Sequence, residues 1–177
     1  PPGARIVGVA DALTTSHVRY RRIQQQLDRP LSLDSGGIRY VMSQVPSLAE
    51  WRADGGVLVS PGLGLPAVRR YDDPELAAFN HRRVVRESLA AGHDLMLLTG
   101  FSTLPAGPGS TEAEVAAAAA QESAAIRDTI DWLAGVYESD EAVREAVDDA
   151  VLRVLELKRS LYPELKPSEV VVARMAA

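Results

Sequence analysis

Gly55-Gly56-Val57-Leu58-Val59-Ser60-Pro61-Gly62-Leu63-Gly64 is the stretch that decides the fold. Three apolar residues stand between a glycine pair and a Ser-Pro-Gly corner, the pattern of a short, fully buried strand closed by turn residues. Two other segments share it, so strands are expected at 12–18, 56–60 and 94–99. Between them the apolar spacing turns helical. Residues 37–52 carry Ile38, Val41, Met42, Val45, Leu48 and Trp51 at helical intervals, with Pro46 breaking or kinking the run. Residues 74–91 begin with Pro74 and end at Gly92, which predicts a second helix. Strand and helix in alternation is the rhythm of parallel α/β structure.

Downstream of the third expected strand the chain reads as helix almost to its end. Thr111-Glu112-Ala113-Glu114 fits a capping box, and the alanine-rich run that follows favours helix over linker. Ser139 or Asp140 opens a last amphipathic helix, with Val143, Val147, Ala150, Val154 and Leu161 on one face and Pro163 and Pro167 stopping it. The expected fold class is therefore α/β, parallel strands alternating with helices and ending in two long helices. Residues 163–177 form a tail, in which 170–173 could add a short strand. The loops expected after the strands, 19–36, 61–73 and 100–110, are long, whereas Gly55-Gly56 and Gly92-His93 lead into strands directly. Elaboration of one strand end and trimming of the other is typical of a ligand-binding face.

Composition narrows the function classes. At 177 residues, 46% hydrophobic and 24% charged, the chain suits one globular domain over 1–177. Its 19 Lys and Arg against 24 Asp and Glu give a net charge of −5, which disfavours a nucleic-acid partner, since such binding rests on neutralising phosphates. No apolar run approaches the roughly 18 residues of a membrane span. Absence of cysteine excludes a disulfide framework, thiolate metal ligation and a cysteine nucleophile, and leaves the compartment open. Pro1-Pro2-Gly3-Ala4-Arg5 lacks a signal-peptide layout and reads like the interior of a longer protein.

Five segments, in order, carry a family resemblance: 12–18 (Ala-Leu-Thr-Thr-Ser-His-Val), 29–34 (Arg-Pro-Leu-Ser-Leu-Asp), 55–60, 90–98 (Ala-Ala-Gly-His-Asp-Leu-Met-Leu-Leu) and 150–158. Across about residues 8–162 the set resembles the C-terminal half of the N-terminal (β/α)8 barrel of glycoside hydrolase family 3, which contains β-N-acetylhexosaminidases and β-glucosidases. The resemblance implies hydrolysis of O-glycosyl bonds with retention, which needs a nucleophilic carboxylate and a separate acid/base. In the family the nucleophilic aspartate follows the serine that closes the second of these strands; here Pro61 follows Ser60. Nothing before residue 12 resembles the family's Lys-His acid/base loop. The expectation is a catalytically degenerate barrel fragment with no catalytic residue. Two alternatives stand beside it: a non-catalytic carbohydrate-binding or protein-interaction module, and an active hydrolase completed by upstream sequence.

His17, Ser60 and Phe101 are the candidate substrate-binding residues for a possible carbohydrate ligand. His17 closes the first strand and can bond sugar hydroxyls, Ser60 closes the second, and Phe101 lies on a loop as an exposed stacking face. Trp51, at helical spacing, reads as core. Asp72 and Asp73, before Pro74, read as helix N-caps. His81, beside Arg82 and Arg83, reads as part of a solvated helical face, and His93 as structural. The three scattered histidines suggest no metal site, and Gly62 and Gly64 lack the lysine of a phosphate loop, so no cofactor is expected. Three strands cannot close a barrel of eight, which leaves sheet edges and an apolar face to be covered. A missing N-terminal half, a second copy forming a dimer, or the two last helices would cover them.

Overall fold

A computed structural model describes residues 10–166. Strands β1 (Ala12–Thr14) and β2 (Val57–Val59) pair in parallel, with Ala12, Leu13 and Thr14 opposite Val57, Leu58 and Val59. Helices α1 (Ser35–Gln44) and α2 (Pro46–Ala53) form the crossover between them. Pro46 occupies the first turn of α2, where its missing N–H costs nothing, so the expected break falls there. The first strand is shorter than expected because residues 16 and 18 turn to a 3-10 turn, Leu31–Leu33, through Ser32 N to Ser16 O at 3.0 Å and Leu31 N to Val18 O at 3.4 Å.

The third expected strand is corrected. Residues 94–99 run beside β2, but only an isolated bridge between Val59 and Leu95 has strand character. Backbone bonds hold the start of the segment, Leu58 O accepting from Asp94 N at 2.8 Å and Leu95 N at 3.1 Å and Leu95 O from Ser60 N at 2.9 Å. Side chains take the flanking amides and stop the ladder there: Leu58 N–H donates to the Asp94 carboxylate at 2.8 Å, and Leu97 N–H donates to Ser60 Oγ at 3.0 Å. The carbonyls of Leu97 and Thr99 then accept from Leu63 and Gly64, beyond the end of β2.

The expected helix over 74–91 is also corrected. Helix α3 (Pro66–Asp72) lies within the supposed loop 61–73, and α4 (His81–Ala90) begins seven residues later than Pro74. Asp73 is the reason: its carboxylate accepts the amides of Glu75, Ala77 and Ala78, folding 73–78 into a turn in which Leu76 has φ +57°. Asn80, not Asp72 or Asp73, caps α4, accepting from Arg83 N. Asp72 instead accepts Asn80 N–H at 2.5 Å.

The two long helices are α5 (Glu112–Ser139) and α6 (Glu141–Leu161). The Thr111–Glu114 capping box starts α5, and the Asp140 side chain caps α6 through Ala142 N and Val143 N. The chain is thus a mixed helix and strand structure that ends in two long helices. None of its described helices is long and apolar enough to cross a membrane. The tail expectation for 170–173 lies outside the described residues.

Two apolar clusters hold the elements together. Ile38, Trp51, Leu58 and Ala91, with Leu13, Leu31 and Met42, join the sheet to α1 and α2. Trp51 belongs there as expected, and its Nε1–H donates to Ala10 O at 2.6 Å. Leu33, Leu63, Val68, Val84, Val85 and Phe101 form the second cluster, against which Ile126 and Leu133 of α5 pack. Each fully buried side chain of this size contributes roughly 1.5–3 kcal/mol. Helix α6 packs on α4, α5 and β2. Leu95 and Leu97 beside β2 remain exposed.

Candidate functional site

The C-terminal ends of β1, β2 and the 94–99 segment bring together His17, Ser60, Pro61 and Gly62. His17 Nε2 faces the Gly62 carbonyl at 3.0 Å, and Nδ1 lies 2.5 Å from Ser32 Oγ. A carbonyl only accepts, so Nε2 carries the proton and Nδ1 accepts from the Ser32 hydroxyl. Burial holds His17 below the usual imidazole range, with the Gly62 carbonyl opposing the shift. The neutral ring therefore spans β1, the 3-10 turn and the corner after β2. Both ring nitrogens are committed to protein partners.

His93 is a second post of the same kind. Its Nδ1–H donates to Ser88 O at 3.0 Å, and Nε2 accepts from Thr15 Oγ at 2.7 Å, tying the end of β1 to the last turn of α4. It is buried, and desolvation lowers its pKa while the Ser88 carbonyl opposes this. Gly92, at φ +96°, supplies the left-handed turn that lets α4 end and His93 enter the interior.

Ser60 is fully buried, and its Oγ is the acceptor for Leu97 N–H, so the hydroxyl offers no surface to a ligand. This corrects its expected role as a substrate contact. Phe101 is corrected too. At 2% exposure it is core, with its ring edge-to-face with Phe79 at 5.4 Å and stacked on His81 at 5.7 Å. Gly100, at φ +73°, turns the chain so that this large apolar ring enters the second cluster. His81 is accordingly not on a solvated face: it is the first residue of α4, and its Nδ1 lies 2.8 Å from Thr129 Oγ on α5.

Arg69 seals the space behind the corner. Its Nε donates to Gly64 O at 2.9 Å, its Nη2 donates to the carbonyls of Gly100 and Ser102, and its guanidinium lies over Phe79 at 4.9 Å. Desolvation lowers the pKa of this group, opposed by the charge of Glu122. The loops after β2 and after 94–99 are so close that a Cβ on Gly64 would stand 2.1 Å from Gly100 O. Nothing in the local sequence around Arg69 signals this role, because its three acceptors come from two separate loops.

The carboxylates next to these elements are also engaged. Asp94, with its side chain 1% exposed, pairs with Arg52 and with Arg153 at 3.1 Å besides holding Leu58 N–H. Asp72 pairs with Arg83 at 3.4 Å. Amides of Ala78 and Glu75 hold Asp73 below the usual carboxylate range. Pro61 has neither a nucleophilic atom nor an N–H. Among the described residues, no group of three or more His, Cys, Asp or Glu is placed to hold a metal ion. A recess of about 180 Å³ lies where the end of α4 meets the start of α6, lined by Leu89, Val143 and Ala146 and bridged by Arg86 and Asp140 at 2.6 Å. No family model, no curated protein and no solved structure matches the chain.

Proposed function

We propose that this chain is a non-hydrolytic relative of the family 3 glycoside hydrolases, built on part of a (β/α)8 barrel. The observation that carries the reading is the Ser60-Pro61-Gly62 corner at the C-terminal end of β2, where the resembled enzymes place their nucleophile. Proline there cannot attack an anomeric carbon. The neighbouring groups add support: His17 is fixed in one tautomer by Ser32 and Gly62, and Asp94, Asp72 and Asp73 are each bound to arginines or backbone amides. Parallel pairing of β1 with β2 across the α1–α2 crossover is the arrangement a barrel segment would have.

Retaining hydrolysis needs two carboxyl-type groups about 5–5.5 Å apart across the sugar. The corner after β2 supplies none. The test is incubation of the purified chain with 4-nitrophenyl β-D-glucoside and 4-nitrophenyl N-acetyl-β-D-glucosaminide. Nitrophenol release at the buffer rate is expected. Saturable turnover that survives repurification and is lost on Asp72→Asn or Asp73→Asn would overturn the reading.

A further inference from the structure

We propose that the loop leaving β1 is a docking surface for an acidic peptide segment of a partner protein, one that also carries apolar side chains. The proposal does not rest on the non-hydrolytic reading. In residues 18–29 the sequence is Val-Arg-Tyr-Arg-Arg-Ile-Gln-Gln-Gln-Leu-Asp-Arg. Arg19, Arg21 and Arg22 are exposed and enter no ion pair among the described residues, whereas Arg29 is engaged with Tyr71 and Glu87. Asp28 is the one acid in the stretch.

The loop is built, not merely basic. Gln24, buried at 6% exposure, accepts Tyr20 N–H at 2.8 Å and donates to Arg29 O at 2.9 Å and to Asp34 at 3.1 Å. The turn is closed by Ile23 N and Gln24 N on Tyr20 O, both at 3.0 Å. Three large apolar side chains stand out of this frame among the arginines: Val18 at 53%, Tyr20 at 39% and Leu27 at 48% exposure. A solvated cationic loop has no need of them. Arginine and tyrosine are enriched where proteins bind proteins, and the core of such a patch is more apolar than the surface around it.

Charge distribution selects the partner. Without these three arginines the chain would carry 16 Lys and Arg against 24 Asp and Glu, a net charge of −8. An anionic bilayer or a nucleic acid presents a negative surface wider than the loop, and would meet that remaining charge as repulsion. A short acidic segment touches the loop alone. Its carboxylates match the planar fork of guanidinium groups, and its apolar residues match Val18, Tyr20 and Leu27. A neutral glycan would leave the charges unused.

The probe is a fluorescein-labelled peptide of roughly twelve residues alternating glutamate with leucine. Its anisotropy is titrated with the full chain, beside a labelled oligothymidine of equal length and vesicles of phosphatidylcholine and phosphatidylserine. Saturable peptide binding that weakens with added salt is expected. The joint variant Arg19→Glu, Arg21→Glu, Arg22→Glu should lose about tenfold or more in affinity. Tyr20→Ala should lose roughly threefold with its salt dependence unchanged. The triple arginine-to-glutamine variant repeats the test without charge reversal, and urea midpoints equal to wild type establish that each variant folds. Unchanged affinity in the arginine variants, no saturable binding by wild type, or equally tight binding of the oligothymidine or the vesicles through the same arginines would overturn the proposal.

Discussion

The Arg153 guanidinium of α6 lies 3.1 Å from the carboxylate of Asp94, 59 residues earlier in the chain, and so fastens the last helix to the segment beside β2. Arg52 of α2 bonds both oxygens of the same carboxylate and also donates to Gly92 O at 2.9 Å. Asp94 therefore joins the crossover, the sheet and α6.

Removing Asp94 leaves two arginines and the Leu58 amide without their shared acceptor. Breaking a buried pair by deleting one partner costs about 3–5 kcal/mol. Asp94→Ala should therefore unfold at much lower urea than wild type. Arg153→Ala should lose less, because Arg52 still holds Asp94. Equal losses in the two single variants would show that α6 alone depends on this carboxylate.

Phe101→Ala removes the ring that Phe79 and His81 pack against. Large-to-small changes of a buried phenylalanine cost about 3–5 kcal/mol. A urea midpoint within error of wild type would mean that the ring is dispensable to the core. Because Phe101 is 2% exposed, a titration with N-acetylglucosamine should leave its signals unmoved.

Three histidines give the stability a shared pH dependence. Burial lowers the pKa of His17, His81 and His93 in the folded chain, while carbonyl or acidic neighbours oppose it in part. Unfolded, each titrates at about 6.5. As pH falls through that value the unfolded state takes up protons that the folded state resists, so stability declines from about pH 6.5 down to the folded-state values and then levels. Asp73, Asp128 and Glu114 are shifted below the ordinary carboxylate range and act at lower pH. Urea midpoints at pH 7.5 and 5.5 should differ in this direction, and His93→Gln should flatten the slope. A midpoint that rises on acidification would contradict the assignment of neutral rings.

How far the fold could be read in advance follows the range of the forces involved. The Thr111–Glu114 box, the break at Pro46 and the Asp140 cap are local, and each lies where the residues predict. The third strand and the 74–91 helix went astray for one common reason, side-chain oxygens competing with the backbone. Asp94 and Ser60 took ladder hydrogens, and Asp73 took three amides that a helix would have used. At the strand ends, the sequence has His17 closing the first strand, whereas β1 stops at Thr14 and the imidazole is occupied by Ser32 and Gly62, partners from two other segments that no local pattern announces. The burial of Phe101 depended on α5, far along the chain, and Arg69 on two loops at once.

Gly64 tests how tightly the strand-end loops are joined. A Cβ there would meet the Gly100 carbonyl oxygen at 2.1 Å and its carbon at 2.3 Å, both backbone atoms that cannot rotate aside. Gly64 N–H also donates to Thr99 O at 2.8 Å, and Arg69 holds the Gly64 carbonyl, so separating the loops breaks several bonds together. Gly64→Ala should cost about 1–3 kcal/mol or more, as overpacking in a dense interior does. Gly107→Ala is the control, since nothing lies within 4 Å of its added methyl. Removing a glycine there restricts the unfolded chain, so a change of a few tenths of a kcal/mol, of either sign, is expected. If both variants melt alike, the contact between residues 64 and 100 is not what closes the strand ends.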